Sequence, residues 1–326
     1  MTRFFFITVF LAYLSLEAQV VLPDAETAFE PAHNFNPKVI KEQGIRRIVF
    51  EILDKKDFEV AVDRSLTEHY EFNADGQINR YYYTVIAKTH EKRVTHLNRK
   101  GREVVSSSTE YIFDTVSTTY FYQKGQLALK RYHDGTNYYE SRYYHHDSLG
   151  NITKERRYRE TNVSPARSYF VLGNQVLLSE DSFQYKKFSS GQLKCTFLNN
   201  ENRPYKERII NYDAEGRRIS LSENYTSAGW IMQEQKFEYE GKRLTSARFE
   251  GNANNKVILK NVYEYDENKE LYSEKQFRND VLEKEISYVT SKSEGLLNSI
   301  IIRDPANLTM RIIRLKYDKG QLGKGD

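Results

Sequence analysis

Apolar and polar residues alternate along most of the chain. From Ile219 to Tyr225 the odd-numbered residues are mostly apolar and the even-numbered residues are polar, which is typical of a β-strand with one buried face. Phe237 and Tyr239 show the same spacing. Helical periodicity is nearly missing, so the pattern predicts an all-β protein.

One short segment near the N-terminus is the exception to this pattern. In the sequence from 36 to 44, Asn36 is suited to cap a helix, Pro37 to occupy its first position and Gly44 to end it. We expect a short helix there, followed by a strand from Ile45 to Leu53. The helix would protect the first edge of the sheet, because an open edge invites aggregation.

The strand pattern repeats along the chain. The sequence Tyr-Asp-Ala-Glu-Gly-Arg-Arg-Ile at 212–219 recurs with changes at 265–271 and 317–322, and more weakly at 72–78, 122–127, 144–152 and 239–244. The turn residues lie at 76, 101, 125, 150, 173, 191, 216, 241, 268, 295 and 320, about 25 residues apart. Each unit is interpreted as two strands around a tight turn, where glycine or asparagine supplies a positive φ.

These units resemble the YD repeats of the Rhs family, whose signature is Tyr-Asp, two variable residues, Gly-Arg and an aliphatic residue. Tyr212 to Arg217 fits it closely, and the resemblance runs from about residue 68 to the end, although most units lack the aspartate. It implies long curved β-sheets that enclose a toxin or form exported binding structures. Strand twist alone also predicts that so long a sheet curls. We therefore expect a long curved antiparallel sheet, a solenoid-like array of hairpins, with a short N-terminal helix.

The first residues predict export. Arg3 is followed by an apolar run from Phe4 to Leu16 and by Ala18 before Gln19, as in a secretory signal peptide that is cleaved after residue 18. We therefore divide the chain into a signal peptide (1–18), an N-terminal lead with the capping helix (19–44) and the repeat array (45–326). The expected location is the periplasm, the cell surface or the medium of a Gram-negative bacterium.

Charge limits the classes of partner. The 49 basic and 45 acidic residues are interspersed and give a net charge of +4, which does not favour nucleic acid. A transmembrane barrel needs an apolar, lipid-facing row on every strand, whereas Lys154 to Arg157 place charge on both faces. We expect a protein that does not span the membrane after signal cleavage, with a protein or polysaccharide partner at the cell envelope.

Candidate chemistry is sparse. The single cysteine, Cys195, cannot form an intramolecular disulfide or a CxxC metal site. His145, His146 and Asp147 fall in the turn slot of a repeat, where a polar turn explains them. No catalytic or nucleotide-binding motif is present, so we expect no enzymatic activity, no cofactor and no metal.

Tyrosine is the remaining unusual feature, with 25 residues in the chain. Many mark the end of a strand before a turn, but two clusters exceed what the repeat requires, and these either pack or bind a partner. The speculative binding surface consists of Tyr81, Tyr83, Tyr132, Tyr138, Tyr139, Tyr143 and Tyr144. The leading hypothesis is a non-enzymatic exported repeat protein that acts as a binding or scaffolding surface. A glycan-binding module that uses tyrosine rows and a toxin-shell relative without the toxin are the alternatives.

Overall fold

The computed structural model describes residues 19–30, 33–56, 58–97, 103–164, 169–188, 190–227, 229–252, 256–291, 295–306 and 308–320. The predicted signal peptide therefore lies outside the described residues. The elements are α1 Pro37–Glu42, β1 Ile45–Lys56, β2 Val62–Phe72, β3 Ile78–Leu97, β4 Glu103–Gln123, β5 Gln126–His133, β6 Tyr138–His146, β7 Ile152–Asn162, β8 Leu172–Lys187, β9 Gln192–Leu198, β10 Pro204–Tyr212, β11 Arg218–Tyr225, β12 Ile231–Glu240, β13 Arg243–Gly251, β14 Val257–Tyr265, β15 Leu271–Arg278, β16 Val281–Thr290, β17 Leu297–Asp304 and β18 Thr309–Lys319. The predictions of an all-β protein and of a short helix at Pro37 are confirmed.

The sheet is a closed barrel of eighteen antiparallel strands. Each strand pairs with the next along the chain, and β1 also pairs with β18, with Ile48 opposite Tyr317 and Ile52 opposite Ile313. The predicted open, solenoid-like sheet is therefore wrong, because its first and last strands pair with each other. The predicted edge cap is wrong for the same reason, since β1 has a neighbour on both sides and closure leaves no edge to protect.

The two ends of the barrel differ. The turn end carries the connections from even-numbered to odd-numbered strands, and the loop end carries those from odd-numbered to even-numbered strands. At the turn end, Asp213 Oδ1 accepts hydrogen bonds from the backbone N–H of Glu215 and Arg217, and Gly216 has φ 79°. Asn73 and Asp147 stabilise their turns in the same way. Such local bonds explain why these positions favour Asp, Asn and Gly.

The turn residues proposed from the repeat mostly lie at the turn end. Positive φ is found at Gly76, Gly125, Gly150, Gly191, Gly216, Gly241 and Gly295. At the turn between β14 and β15, the residue with positive φ is Lys269 rather than Asn268. Gly173 is an exception, because it lies within β8. Position 101 falls outside the described residues.

Tyrosines tie neighbouring turns together. The hydroxyl of Tyr239, at the end of β12, donates to the carbonyl of Arg218 at the start of β11, at 2.8 Å. The same bond is made by Tyr122 to Ile78, Tyr185 to Ile152, Tyr265 to Leu244 and Tyr317 to Leu297. Each ring is inward-facing, and its hydroxyl donates to a backbone carbonyl of the adjacent strand. The recurring tyrosine thus has a structural role in holding one hairpin to the next.

Removing one of these hydroxyls tests that role. We expect Tyr239→Phe to lower the free energy of unfolding by about 1 kcal/mol, because the carbonyl of Arg218 loses its partner while the ring is kept. Chemical denaturation measures the change. Tyr169→Phe is the control, since Tyr169 is exposed and its hydroxyl has no hydrogen bond among the described residues. Equal stability of the two variants would contradict the assigned role.

Candidate functional site

The N-terminal segment, described at residues 19–30 and 33–44, packs against the inward face of the barrel. A barrel of eighteen strands is too wide for its own side chains to fill, and the segment crosses this space. Phe29 packs on Phe249 of β13 with ring centroids 5.8 Å apart. On the opposite wall, burial raises the pKa of Tyr120 and of Tyr144 to about 12. The negative charge of Glu30, the residue after Phe29, adds to both shifts.

The segment forms the core together with one half of the barrel. Phe35 contacts the rings of Phe50, Tyr70 and Phe72 at centroid distances of 6.3, 4.7 and 5.3 Å. His33 is enclosed in the same cluster, and burial lowers its pKa to about 4. The other half of the lumen, from β3 to β10, has no such filling among the described residues.

A cavity of about 410 Å³, the basic cavity, lies at the turn end between the N-terminal segment and the turns after β10, β12 and β14. The three turns contribute similar residues, because each repeat places a tyrosine before its turn and a basic residue at or directly after the residue with positive φ. The lining residues from the barrel include Tyr212, Arg217, Arg218, Tyr239, Lys242, Arg243, Tyr265 and Lys269. The opposite wall carries Asp24 and Glu26.

Stacking fixes two of these arginines. The guanidinium of Arg217 lies 5.0 Å from the ring centroid of Tyr239, and that of Arg243 lies 5.7 Å from the ring of Tyr265. Arg217 also pairs with Asp213 at 2.6 Å, and the hydrogen bonds that its guanidinium donates to this carboxylate raise the pKa of Arg217. Arg243 donates to the carbonyl of Lys269 at 3.1 Å. The ring contacts repeat from one unit to the next, so each arginine is held over the tyrosine of the following repeat.

Positive charge exceeds negative charge in the basic cavity. Five basic side chains line it against three carboxylates, and Arg217 is in addition paired with Asp213 and Glu215 of its own turn. Arg218 pairs with Glu26 at 2.7 Å, yet its buried Nε has no hydrogen-bond partner among the described residues. Lys242 and Lys269 make no ion pair within the described part of the chain. The cavity is therefore suited to an anion.

A second cavity, about 500 Å³ in volume, lies deeper in the lumen and is lined by carboxylates. Glu274 accepts hydrogen bonds from the Tyr288 hydroxyl at 2.8 Å and from Gln276 at 2.7 Å. Burial raises the pKa of Glu274, and it raises that of Glu68, which accepts from two tyrosine hydroxyls. For both carboxyls the folded protein favours the neutral form more than water does.

The tyrosines of the speculative binding surface do not share one face. Tyr81, Tyr83, Tyr132, Tyr138 and Tyr144 are inward-facing, and Tyr132 and Tyr138 line a third cavity of about 390 Å³ near the loop end. Tyr81 stacks on Tyr70 with centroids 4.7 Å apart. A binding role for these residues stays a prediction.

The two others, Tyr139 and Tyr143, are outward-facing. The Tyr143 hydroxyl donates to Glu160 at 2.6 Å, and Tyr139 stacks on His133 with centroids 4.3 Å apart. Glu160 is fully buried although it lies on the outer wall, because Arg131 and Ser141 surround it. Tyr143 is therefore part of a packed polar network, whereas Tyr139 packs against the rings of His133 and Phe170.

The structure does not bring the remaining candidate residues from the sequence together in one site. Cys195 is buried in β9, and burial raises the pKa of its thiol, which favours the unreactive form. His145 and Asp147 lie at the end of β6 and in its turn, where Asp147 binds backbone N–H groups. No cluster of metal-binding side chains occurs among the described residues, and no described helix has the length and hydropathy of a membrane-spanning helix.

Sequence reasoning did not identify the basic cavity. The signal was available in the basic residues of three consecutive turns: Arg217 and Lys242 directly follow a turn glycine, and Lys269 takes the glycine position itself. Turn residues were interpreted only as structural, and the N-terminal segment that completes the cavity gave no sign that it enters the barrel.

Comparisons with known proteins give distant matches only. No family model and no curated protein matches the sequence, so the resemblance to YD repeats stays a prediction. Among solved structures, a porin-like protein from Bacteroides uniformis is 11% identical, with 85% of this chain and 97% of that chain covered and a TM-score of 0.38. A porin-like protein from Bacteroides vulgatus is 8% identical, with 84% and 98% covered and a TM-score of 0.27. The Tc holotoxin pore of Photorhabdus luminescens is 8% identical, with 82% and 22% covered and a TM-score of 0.11.

The predicted function is corrected by the closed barrel. An exported repeat scaffold and its glycan-binding alternative were expected to present an open concave sheet, but pairing of β1 with β18 removes that open face. The toxin-shell alternative was expected to close into a hollow, but the chain's own N-terminal segment fills part of the lumen. The inward face is instead shared between the N-terminal segment and the cavities.

The buried carboxyl of Glu274 predicts a pH effect. Because its pKa is raised in the folded state, the fold binds the proton more tightly than the unfolded chain does, so stability is highest at acid pH and falls as the pH rises through the folded pKa. We expect Glu274→Gln to unfold at higher denaturant concentration than the wild type at about pH 8, with the difference vanishing near pH 4, about the ordinary glutamate pKa.

Glu250→Gln is the matched control for this pH effect. Glu250 lies on the outer face and its pKa is lowered by Lys256, so its removal brings no gain at alkaline pH. A Glu274→Gln protein that is destabilised equally at both pH values would show that the carboxyl is not protonated preferentially in the fold.

Proposed function

We propose that this protein is an exported, closed barrel that binds a small anion in the basic cavity at its turn end. The observation that carries the proposal is the convergence of five basic side chains, from three consecutive turns, on one cavity with only three carboxylates. A volume of about 410 Å³ is within the range of small-molecule sites.

A carboxylate already occupies part of the basic cavity. Glu26, from the N-terminal segment, binds Arg218 at 2.7 Å, which is the contact that a bound carboxylate or phosphate would make. Lys242 and Lys269 are available to bind a second anionic group. The chemistry therefore favours a small solute with carboxylate or phosphate groups, and the tyrosine rings provide apolar contact for its remainder.

The outer face of the barrel supports a location in water. Leu221 and Phe237 face inward, so their neighbours on β11 and β12 face outward. These outward residues are Ser220, Ser222, Asn224, Glu234, Lys236 and Glu238. Ion pairs lie on the same face, such as Lys275 with Glu264 at 2.8 Å.

Such a wall is unsuited to lipid. A spanning barrel presents an apolar band to the bilayer, and a basic side chain at its midplane costs about 2–4 kcal/mol. The proposal therefore places the exported barrel in the periplasm, at the cell surface or in the medium. The competing location is the outer membrane, with the strands of the barrel crossing it. The shape of the closed eighteen-stranded sheet favours that location, but the polarity of its outer face does not.

Anion binding is tested by titration calorimetry with inorganic phosphate and with succinate as separate probes. We expect at least one probe to bind the wild type, and the double variant Lys242→Gln/Lys269→Gln to bind it about tenfold or more weakly, since two charge-assisted contacts are lost. Affinity should also fall with added salt.

The matched control for anion binding is Lys236→Gln/Lys260→Gln. It makes the same change of charge on the outer faces of β12 and β14, and we expect wild-type affinity. Failure of the wild type to bind either probe, or equal affinity of the two double variants, would refute the proposal.

The location is tested by solubility. We expect the purified protein to be monodisperse without detergent, because its outer wall carries charges and ion pairs. Analytical ultracentrifugation in detergent-free buffer measures this. A protein that aggregates without detergent and resists alkaline extraction from vesicles would instead be a membrane-spanning barrel.

A further inference from the structure

Closure of the barrel leaves one part of the sheet without neighbours, the far ends of β3 and β4 at the loop end. β2 pairs with β3 only as far as Tyr83, and β5 pairs with β4 only as far as Ser117, whereas β3 and β4 stay paired up to their far ends. The projecting part, here named the arm, consists of residues 85–97 and 103–114. At about 3.3 Å per residue it extends over roughly 35 Å. An isolated two-stranded ribbon is marginally stable in water, so the arm is an incomplete sheet.

The two edges of the arm differ in how they are protected. Sheet edges are commonly blunted by bulges, lysines or prolines. The β3 edge has a bulge between Ile86 and Lys88 and carries two further basic residues, Lys92 and Arg93. The β4 edge, described throughout from 103 to 113, has no bulge and no Lys, Arg or Pro. The hydrogen-bonding groups of the β4 edge are therefore open to another strand.

The open β4 edge also presents large apolar side chains to solvent. They are Val105, Tyr111, Ile112 and Phe113. The open edge ends below Phe113, because Gly135 of the tip after β5 lies against the carboxylate of Asp114. A strand is the occupant that suits such an edge, since it satisfies the backbone groups and covers the side chains together.

We propose that the occupant is a second copy of this chain, with the two β4 edges paired antiparallel about a two-fold axis. One register pairs the open edge with itself over its whole length, and it places Ser108 opposite Ser108 of the second copy. Because this register pairs odd-numbered residues with odd-numbered ones, opposite side chains share a face. Val105 then lies opposite Tyr111 of the second copy, in an apolar pair that occurs twice.

The charges along the open edge are compatible with this register. Glu103 lies opposite Phe113 of the second copy, and Glu110 lies opposite Ser106, so no acidic residue opposes another. The whole arm sequence from 85 to 114 contains six basic and four acidic residues. So small an excess attracts a strongly charged partner only weakly, which favours a second copy over a highly basic or acidic segment.

The two-fold arrangement also keeps the barrels apart. The two arms run in opposite directions and form a four-stranded sheet, with the β4 strands in its centre and the blunted β3 strands at its edges. Ser117, where the barrel wall begins, is nine residues from Ser108, so the two walls stand roughly 60 Å apart along the strands. Such a contact is closed and ends at the dimer. It is independent of anion binding, which takes place at the turn end.

Sedimentation of the purified protein at several concentrations tests the dimer. We expect the wild type to sediment as a dimer that dissociates on dilution. Ser108→Lys places two ammonium groups opposite each other on the two-fold axis, and we expect its dissociation constant to be about tenfold higher. Thr89→Lys is the matched control, because it makes the same change of charge at an exposed position on β3 of the same arm. It should dimerise like the wild type.

Cross-linking provides a second measurement that does not depend on weakening the dimer. In Ser108→Cys the two new Cβ atoms lie about 5 Å apart across the axis, near the reach of a disulfide, so mild oxidation should give a covalent dimer. Cys195 does not compete, because it is buried in β9. Thr89→Cys is the control and should stay uncross-linked, since the two β3 strands are separated by three strand spacings, about 14 Å.

The proposal is overturned by any of three outcomes. A wild type that stays monomeric at its highest soluble concentration would leave a strand of another protein as the occupant of the edge. Equal dissociation constants for Ser108→Lys and Thr89→Lys would show that the dimer does not use the β4 edge. Oxidation that cross-links Thr89→Cys in preference to Ser108→Cys would assign the contact to β3.

Discussion

Pairing between β1 and β18 is the interaction on which the rest of the structure depends. It joins Ile45–Lys56 to Thr309–Lys319, near opposite ends of the chain, and converts a row of hairpins into a ring. An open sheet of this length would leave the backbone groups of two edge strands unpaired. Closure removes both edges and separates an inward face from an outward face. Every later feature, including the cavities and the polar outer wall, follows from that separation.

Closure creates a space that the strands cannot fill, and the N-terminal segment occupies half of it. Its apolar residues, such as Phe35 and Ile40, complete the core against one half of the wall. Its acidic residues face the basic turns, where Glu26 meets Arg218. The segment is therefore both a core element and a wall of the basic cavity, which links the stability of the barrel to the shape of its site.

The repeat distributes structural and chemical roles among its positions. Asp213 and Gly216 shape the turn, and Tyr239 binds the neighbouring hairpin through its hydroxyl. The residue after the glycine is not needed for the turn, so its side chain is available for charge. In two units this residue is basic, Arg217 and Lys242, whereas in the third unit Lys269 takes the place of the glycine itself. Curvature of the wall brings all three to one cavity. At the loop end Asn199 builds a turn of the same kind, but other tips there carry exposed apolar side chains, such as Phe58 and Leu308.

Local features were predictable from the sequence because their causes are local. The alternation of apolar and polar residues predicted the strands, and Asn36 and Pro37 predicted the helix. Glycine predicted the positive φ at most turn positions. Closure was not predictable, because hairpins with this alternation form equally well in an open sheet, and the pairing of Ile48 with Tyr317 joins distant segments. The tertiary structure alone decided that the tyrosine clusters divide between two faces, that the N-terminal segment lies inside, and that basic residues spaced one repeat apart line a common cavity. The physical reason is that periodicity fixes which side of a strand a residue occupies, whereas only the closed ring decides which side is the interior.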